Sequence, residues 1–252
     1  MLALPAGRRI WMGEETVAII GGGKFGLQAL LWAFKTHHKA LVFDSDAQAL
    51  VRNHVHAILP TDQKWTLEDL TQAPSVLVLG NAIDIAIPIL QDLRPAYVIP
   101  TIPVHFLAAS LLFIARQNNQ TYVPDADEII RIAKQFTAPL NASPNPQEGI
   151  IALSYAQPGE LCPPQCTGPL NFCPTFKREK KKTITILVSE ATKQSAHRFL
   201  AESQQLTNGL GGILGSAFFH ILDQFRETLP PTFVVSTTCN CHGVLQAFKR
   251  KA

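Results

Sequence analysis

The stretch VAIIGGGKFG, Val17–Gly26, runs from a β-branched, apolar segment into glycines and then into a helix-patterned segment. Gly21, Gly23 and Gly26 stand in G-x-G-x-x-G spacing directly after the strand-like run Thr16–Ile20 and at the opening of a helix predicted over Gly23–Phe34. Each position has a physical reason. Gly21 permits a tight turn, Gly23 lets the backbone approach a pyrophosphate, and Gly26 lets the helix pack closely on the sheet. The helix N-terminal amides, with Lys24 and Phe25 in the same loop, then face the phosphates. A second apolar run, Ala40–Phe43, ends in Asp44, whose carboxylate can accept both ribose hydroxyls of an adenosine. The same charge repels a 2′-phosphate, so the expected cofactor is NAD rather than NADP.

Working outward, the alternation continues. A helix is predicted near Asp46–Asn53, a strand at Ala57–Leu59, and a helix opened by TLED at Thr66–Asp69; a strand at Val76–Leu79, a helix near Ile83–Leu90 and a strand at Tyr97–Ile99 follow. Short apolar strands alternating with helices imply a parallel sheet covered on both faces. The expected fold class is therefore α/β: a doubly wound Rossmann domain over residues 14–118. Residues 119–148 read as a capped amphipathic helix, DADEIIRIAKQF, and a proline-rich linker. Residues 149–252 read as a smaller α/β, cysteine-containing metal-binding domain. In it, strands are expected at Ile150–Tyr155, Thr183–Val188 and Thr232–Ser236, a helix within Gly209–Phe225, and a terminal helix after CNCHG. No internal repeat is visible.

VAIIGGGKFGLQAL, VFDSD, TDQKWTLEDL and SVLVLGNAIDIAIPIL together resemble the N-terminal nucleotide-binding domain of potassium-uptake and potassium-channel regulators, the RCK or TrkA-N type. The resemblance covers roughly the first 100 residues. It implies that Gly21, Gly23, Gly26 and Asp44 bind NAD or an adenine nucleotide, and that Asp62 is the acidic residue this family often carries after its third strand. No counterpart of the family's C-terminal ligand domain is present. The whole chain, with its CP…C…CP loop and terminal CNCHG, resembles an uncharacterised group of bacterial proteins with a C-terminal cysteine-rich region.

The chain has 252 residues, enough for a substantial core, and a formal net charge of +3. Its one dense basic run, Lys177–Lys182, is interrupted by Glu179 and reads as a solvated loop, so nucleic acid is not an expected partner. Residues 95–115 lack Asp, Glu, Lys and Arg, but Pro95, Pro100 and Pro103 break them into a buried strand and a helix too short to span a bilayer. MLALPAGRRIWMGEE has no signal-peptide pattern, and a cytoplasmic location is expected.

In that compartment five cysteines stay reduced, which favours metal or redox chemistry over disulfides. Cys162, Cys166 and Cys173 lie in one loop, and Cys239 and Cys241 in a second, followed by His242. Four thiolates complete either a [4Fe–4S] cluster or a tetrahedral zinc site. The spacings match neither a zinc ribbon nor the bacterial ferredoxin run, so a redox thiol pair and unconnected free cysteines stay open beside the two metals. His242 reads as a ligand or a surface or cap residue. Asn208, Gly209, Gly211 and Gly212 read as a turn or a second anion site before a helix. His37 and His38 read as helix-end caps, His105 as a satisfied buried residue, and Glu190 as a helix-start residue within reach of the cysteines. No nucleophile elbow is present.

These readings combine into an NAD(H)-binding redox protein with a cysteine-ligated metal centre, an iron–sulfur cluster ahead of zinc. NAD-dependent oxidoreductase activity, a redox partner protein and a homodimer are compatible with it. The alternative is a nucleotide-sensing regulator of RCK/TrkA-N type, related to potassium transport, with a structural zinc.

Overall fold

The computed structural model describes residues 15–60 and 65–251. Asp62 lies outside the described residues. The chain divides into two units, Met1–Thr101 and Ile102–Ala252.

The first unit is a parallel sheet with helices. Its strands are β1 (Thr16–Ile20), β2 (Lys39–Asp44), β3 (Ala57–Leu59), β4 (Ser75–Leu79) and β5 (Tyr97–Pro100), and its helices α1 (Lys24–Lys35), α2 (Leu67–Thr71) and α3 (Ala82–Leu93). The strand order is β3-β4-β2-β1-β5, every pair parallel. All five residues of β1 are buried, as are Ala40–Phe43 of β2, so both faces of the central strands are covered. That explains why their sequences are continuous apolar runs rather than alternating ones. The order reverses at β1, with β2 on one side and β5 on the other, which puts the switch point at the carboxyl ends of β1 and β5. TLED begins α2 as expected, through a capping box between Thr66 and Asp69. The helix expected near Asp46–Asn53 shrinks to a 3-10 turn, Leu50–His54. Asp46 is the reason: its side chain accepts from the Gln48 amide and its carbonyl from the Ala49 amide, so the chain turns before it can wind.

The second unit is also α/β, around a mixed sheet. Its helices are α4 (Phe106–Gln117), α5 (Ala126–Ala133), α6 (Ile184–Ala191) and α7 (Gly215–Thr228). Its strands are β6 (Tyr122–Pro124), β7 (Asn141–Asn145), β8 (Ile150–Ser154), β9 (Phe172–Cys173), β10 (Arg178–Glu179), β11 (Arg198–Thr207), β12 (Leu210–Leu214), β13 (Thr232–Thr238) and β14 (His242–Arg250). The sheet runs β12-β11-β13-β14-β8-β7, with β6 also on β14; β11 and β13 are parallel and the remaining pairs antiparallel. On one face Phe106 of α4 stacks on Phe218 of α7, and Phe225 meets Phe199 and Phe233 edge-on. The other face packs Ile129 and Ile132 of α5 and Ile184 and Val188 of α6 against Val234, Leu245 and Ala247.

Three expectations change here. Thr183–Val188 is not a strand: the Thr183 side chain accepts from the Ile186 amide, and Ile184, Val188 and Ala191 are buried at helical spacing. No terminal helix follows CNCHG, because β14 is fixed by β13, β8 and β6. The second unit is the larger one, since α4, β6, α5 and β7 belong to it. No helix among the described residues is long and apolar enough to cross a membrane.

Candidate functional site

In the first unit the glycine loop leaves β1 at Gly21, whose φ of 109° favours glycine. A Cβ on Gly26 would lie 2.0 Å from the Gly21 carbonyl oxygen, so only glycine lets α1 start this close to the strand. Thr101, just past β5, braces the turn by donating its hydroxyl to the carbonyls of Ile20 and Gly21, each at 2.9 Å. At Gly23 a Cβ would meet nothing within 4 Å. Gly23, Lys24 and Phe25 are exposed, with Phe25 54% accessible. Gly23 is the N-cap of α1 without a side-chain hydrogen bond, and the first turn holds no acid.

Asp44 ends β2 beside this loop. Its Oδ2 accepts from the Gly22 amide at 2.5 Å and its Oδ1 from the Asp46 amide at 2.8 Å. Each oxygen keeps a lone pair for a further donor. The Gly22 amide as the residue that orients Asp44 was not singled out in the sequence. His37 and His38 follow α1 as expected: their amides donate to Phe34 and Ala33 carbonyls, and His37 takes a left-handed φ of 59°.

In the second unit the two cysteine segments come together. Cys162 and Cys166 lie between β8 and β9, Cys173 ends β9, and Cys239 and Cys241 occupy the turn from β13 to β14. All five thiols are free. Asn240 Nδ2 donates to the Gly168 carbonyl at 2.8 Å, tying one segment to the other. Cys162 Sγ lies 3.4 Å from His242 Nε2, and Cys166 Sγ accepts from the Gly168 amide at 3.4 Å. Burial raises the Cys162 thiol above its ordinary value, and the four other cysteines raise it further. Burial likewise raises Cys241, opposed by Lys180. His242 is held low by burial and by the Lys180 charge. Among the described residues, no three His, Cys, Asp or Glu side chains converge as closely as a bound metal ion requires.

The basic run is largely solvated, with Lys177, Glu179, Lys181 and Lys182 exposed, but Lys180 departs from that expectation. Arg178 forks onto Glu160, at 2.8 and 3.0 Å, and donates to the Tyr155 carbonyl. Lys182 pairs with Glu190 at 2.7 Å. Lys180, between them, is 2% exposed and donates to Cys241 Sγ at 2.9 Å and to the Pro169 carbonyl. Of the three, only Lys180 is buried; Arg178 is half-buried and Lys182 exposed. Glu190 accordingly sits in the last turn of α6 facing Lys182, not at a helix start.

Gly209 is at the tip of the β11–β12 hairpin, with φ 73°, and α7 begins only at Gly215; the glycines serve a turn and a strand, not a helix-terminal anion site. The tip holds the cysteine loop: the Cys166 carbonyl accepts from the Gly209 amide at 3.0 Å and from Gln205 Nε2 at 2.6 Å. His105 is satisfied as expected, but half-buried rather than buried. Its Nδ1 pairs with Gln246 Oε1 at 3.0 Å and its Nε2 with Thr237 Oγ1 at 3.1 Å, and burial pushes it down to about 4.

Residues 17–106 match a family described as "Uncharacterized protein, N-terminal domain" (AF_1314_N), and residues 108–251 match its companion, "Uncharacterized protein, C-terminal domain" (AF_1314_C). A relative described as "Uncharacterized protein" from Archaeoglobus fulgidus is 27% identical over 234 residues, spanning 92% of this chain and 98% of its own. The two matches meet within a few residues of the division after Thr101, and by their joint span the chain belongs to the two-domain AF_1314 family.

Proposed function

We propose that this chain is an NAD(H)-binding redox protein whose second unit carries a thiolate-ligated metal centre, iron–sulfur in preference to zinc. The observation that carries the reading is the loop at the end of β1: Asp44, held by the Gly22 amide, stands beside a helix N-terminus that has no side-chain cap and whose leading glycine opens onto free space. Carboxylate and amides at that spacing suit an adenosine ribose and a pyrophosphate. Strand order supports it. With the three-residue edge strand β3 set aside, 4-2-1-5 follows the 3-2-1-4 run of dinucleotide-binding sheets. Loop and acid are also the features shared with RCK/TrkA-N domains.

For the metal, the support is the kind of donor rather than its geometry: soft thiolates on two tied segments suit zinc or an iron–sulfur cluster, while no three of them converge among the described residues. Cys162, Cys166 and Cys173, with one or both of Cys239 and Cys241, would hold it. Bound NAD supplies hydride chemistry and a cluster supplies single-electron exchange. The chain's own contribution is to fix the ribose through Asp44, hold the phosphates on the α1 amides, and donate hydrogen bonds to sulfur from Gly168 and Lys180. Free thiols suit a reducing cytoplasm.

One observation favours the regulatory reading with zinc: the His242 imidazole beside Cys162 offers the mixed sulfur and nitrogen donors zinc accepts. Anaerobic purification with metal analysis, an absorption spectrum and NAD calorimetry tests both. Iron, acid-labile sulfide and NAD binding support the redox protein; one zinc per chain with NAD binding supports the regulator; absence of NAD binding removes both.

A further inference from the structure

The peptide that joins Gly21 to Gly22 is held from both sides, by a residue just past β5 and by one at the end of β2. Its carbonyl accepts the Thr101 hydroxyl at 2.9 Å, and its N–H donates to Asp44 Oδ2 at 2.5 Å. Thr101 also approaches the Ile20 carbonyl, but that oxygen already takes the Thr101 amide at 2.7 Å, so the hydroxyl proton is left to Gly21. The backbone groups on either side are engaged too. The Gly21 amide donates to the Phe43 carbonyl at 2.8 Å, and the Gly22 carbonyl accepts from the Val51 amide at 3.1 Å. The amides that open α1 come next, and a helix supplies these with no acceptor of its own.

A peptide turns as one planar unit, and between two glycines it turns at little steric cost. Gly21 and Gly22 are both buried, so a carbonyl left here without a donor has no water to replace it. Turned over, this peptide would present its carbonyl oxygen to the Asp44 carboxylate. Two acceptors facing each other cannot bond, and Asp44 would lose the contact that aims it. We infer that Thr101 is a positioning residue of the nucleotide site: by holding the Gly21 carbonyl it keeps the Gly22 N–H on Asp44, and so fixes the carboxylate for ribose although its own hydroxyl is spent on the backbone. This rests on the nucleotide-binding reading above.

Calorimetric titration of the full-length chain with NAD, paired with denaturant unfolding of the same samples, is the test. Thr101→Val removes the hydroxyl and keeps the bulk; it should raise the Kd by about fivefold or more, and Thr101→Ser should return it to within about twofold of the parent. In an Asp44→Ala chain, Thr101→Val should add less than about twofold, because the residue it acts through is gone. If Thr101→Val does not fold, Thr101→Ala takes its place with the same expectations. Parental affinity without the hydroxyl, no rescue by serine, or an undiminished loss in the Asp44→Ala chain overturns the inference while leaving the nucleotide site standing. Failure of the unaltered chain to bind NAD removes the site and the inference with it.

Discussion

Replacing Gly23 by alanine separates nucleotide binding from folding. The backbone there has φ −74° and ψ −157°, which alanine adopts freely, and the added methyl meets nothing within 4 Å. The cost to the folded chain is that of alanine in place of glycine at a helix N-cap, about 0.5–1 kcal/mol. With a pyrophosphate seated on the α1 amides, the same methyl stands where a phosphate oxygen approaches. Crowding of that kind costs about 1–3 kcal/mol, and one amide–phosphate hydrogen bond pulled out of line forfeits about 1.5–3 kcal/mol more. Taking the low ends, roughly 2.5 kcal/mol, the Kd for NAD should rise by about 50-fold or more. The assay is calorimetric titration with NAD, paired with denaturant unfolding of the same preparations. An alanine variant that folds normally and binds NAD as the parent does would refute the placement of the phosphates. Gly26→Ala is the converse control: its methyl falls 2.0 Å from a backbone oxygen that cannot retreat, so stability should fall by about 2 kcal/mol or more.

Asp44→Ala should weaken NAD binding at least several-fold in calorimetry, by removing two charge-assisted ribose hydrogen bonds; equal affinity takes the carboxylate out of the site. Cys166→Ala should lose most of the bound metal on anaerobic purification, and full retention would show that Cys166 is not a ligand. His105 gives a pH dependence. Its folded value, about 4, lies below the ordinary 6.5, so between those limits the unfolded chain binds a proton that the folded chain refuses. Stability from this residue is complete above pH 6.5 and falls as pH drops toward 4, by about 3 kcal/mol. Urea unfolding across that window should show the slope, and His105→Gln should lack it.

The first unit was legible because its determinants are local. Gly21 and Gly26 are required by the turn and the close approach of α1, and β1 and β2 are apolar on both faces because both are covered. Asp44 could be placed by its position after the second strand. The second unit depended on partners far away in sequence. Val244–Arg250 contains Leu, Gln, Ala, Lys and Arg, good helix formers, yet flanking strands take up its backbone and make it β14. ITILV looks like a strand by composition, but the Thr183 cap and the spacing of Ile184, Val188 and Ala191 make it a helix. The cysteines could be grouped by position alone. Lys180 could not be found, because a lysine among lysines carries no mark of burial; what distinguishes it is the sulfur of Cys241, sixty-one positions away.

The hairpin tip at Gly209 has a consequence for exchange at the sulfurs. A methyl on Gly209 would collide with the Pro164 carbonyl at 2.1 Å, and the Cys166 carbonyl already takes two hydrogen bonds from this hairpin. The first cysteine segment is therefore moored by the sheet rather than by whatever its thiols bind. If the thiols take up an ion, as proposed, capture would order few additional residues and release would leave the mooring intact, in contrast to small zinc modules that unfold when stripped.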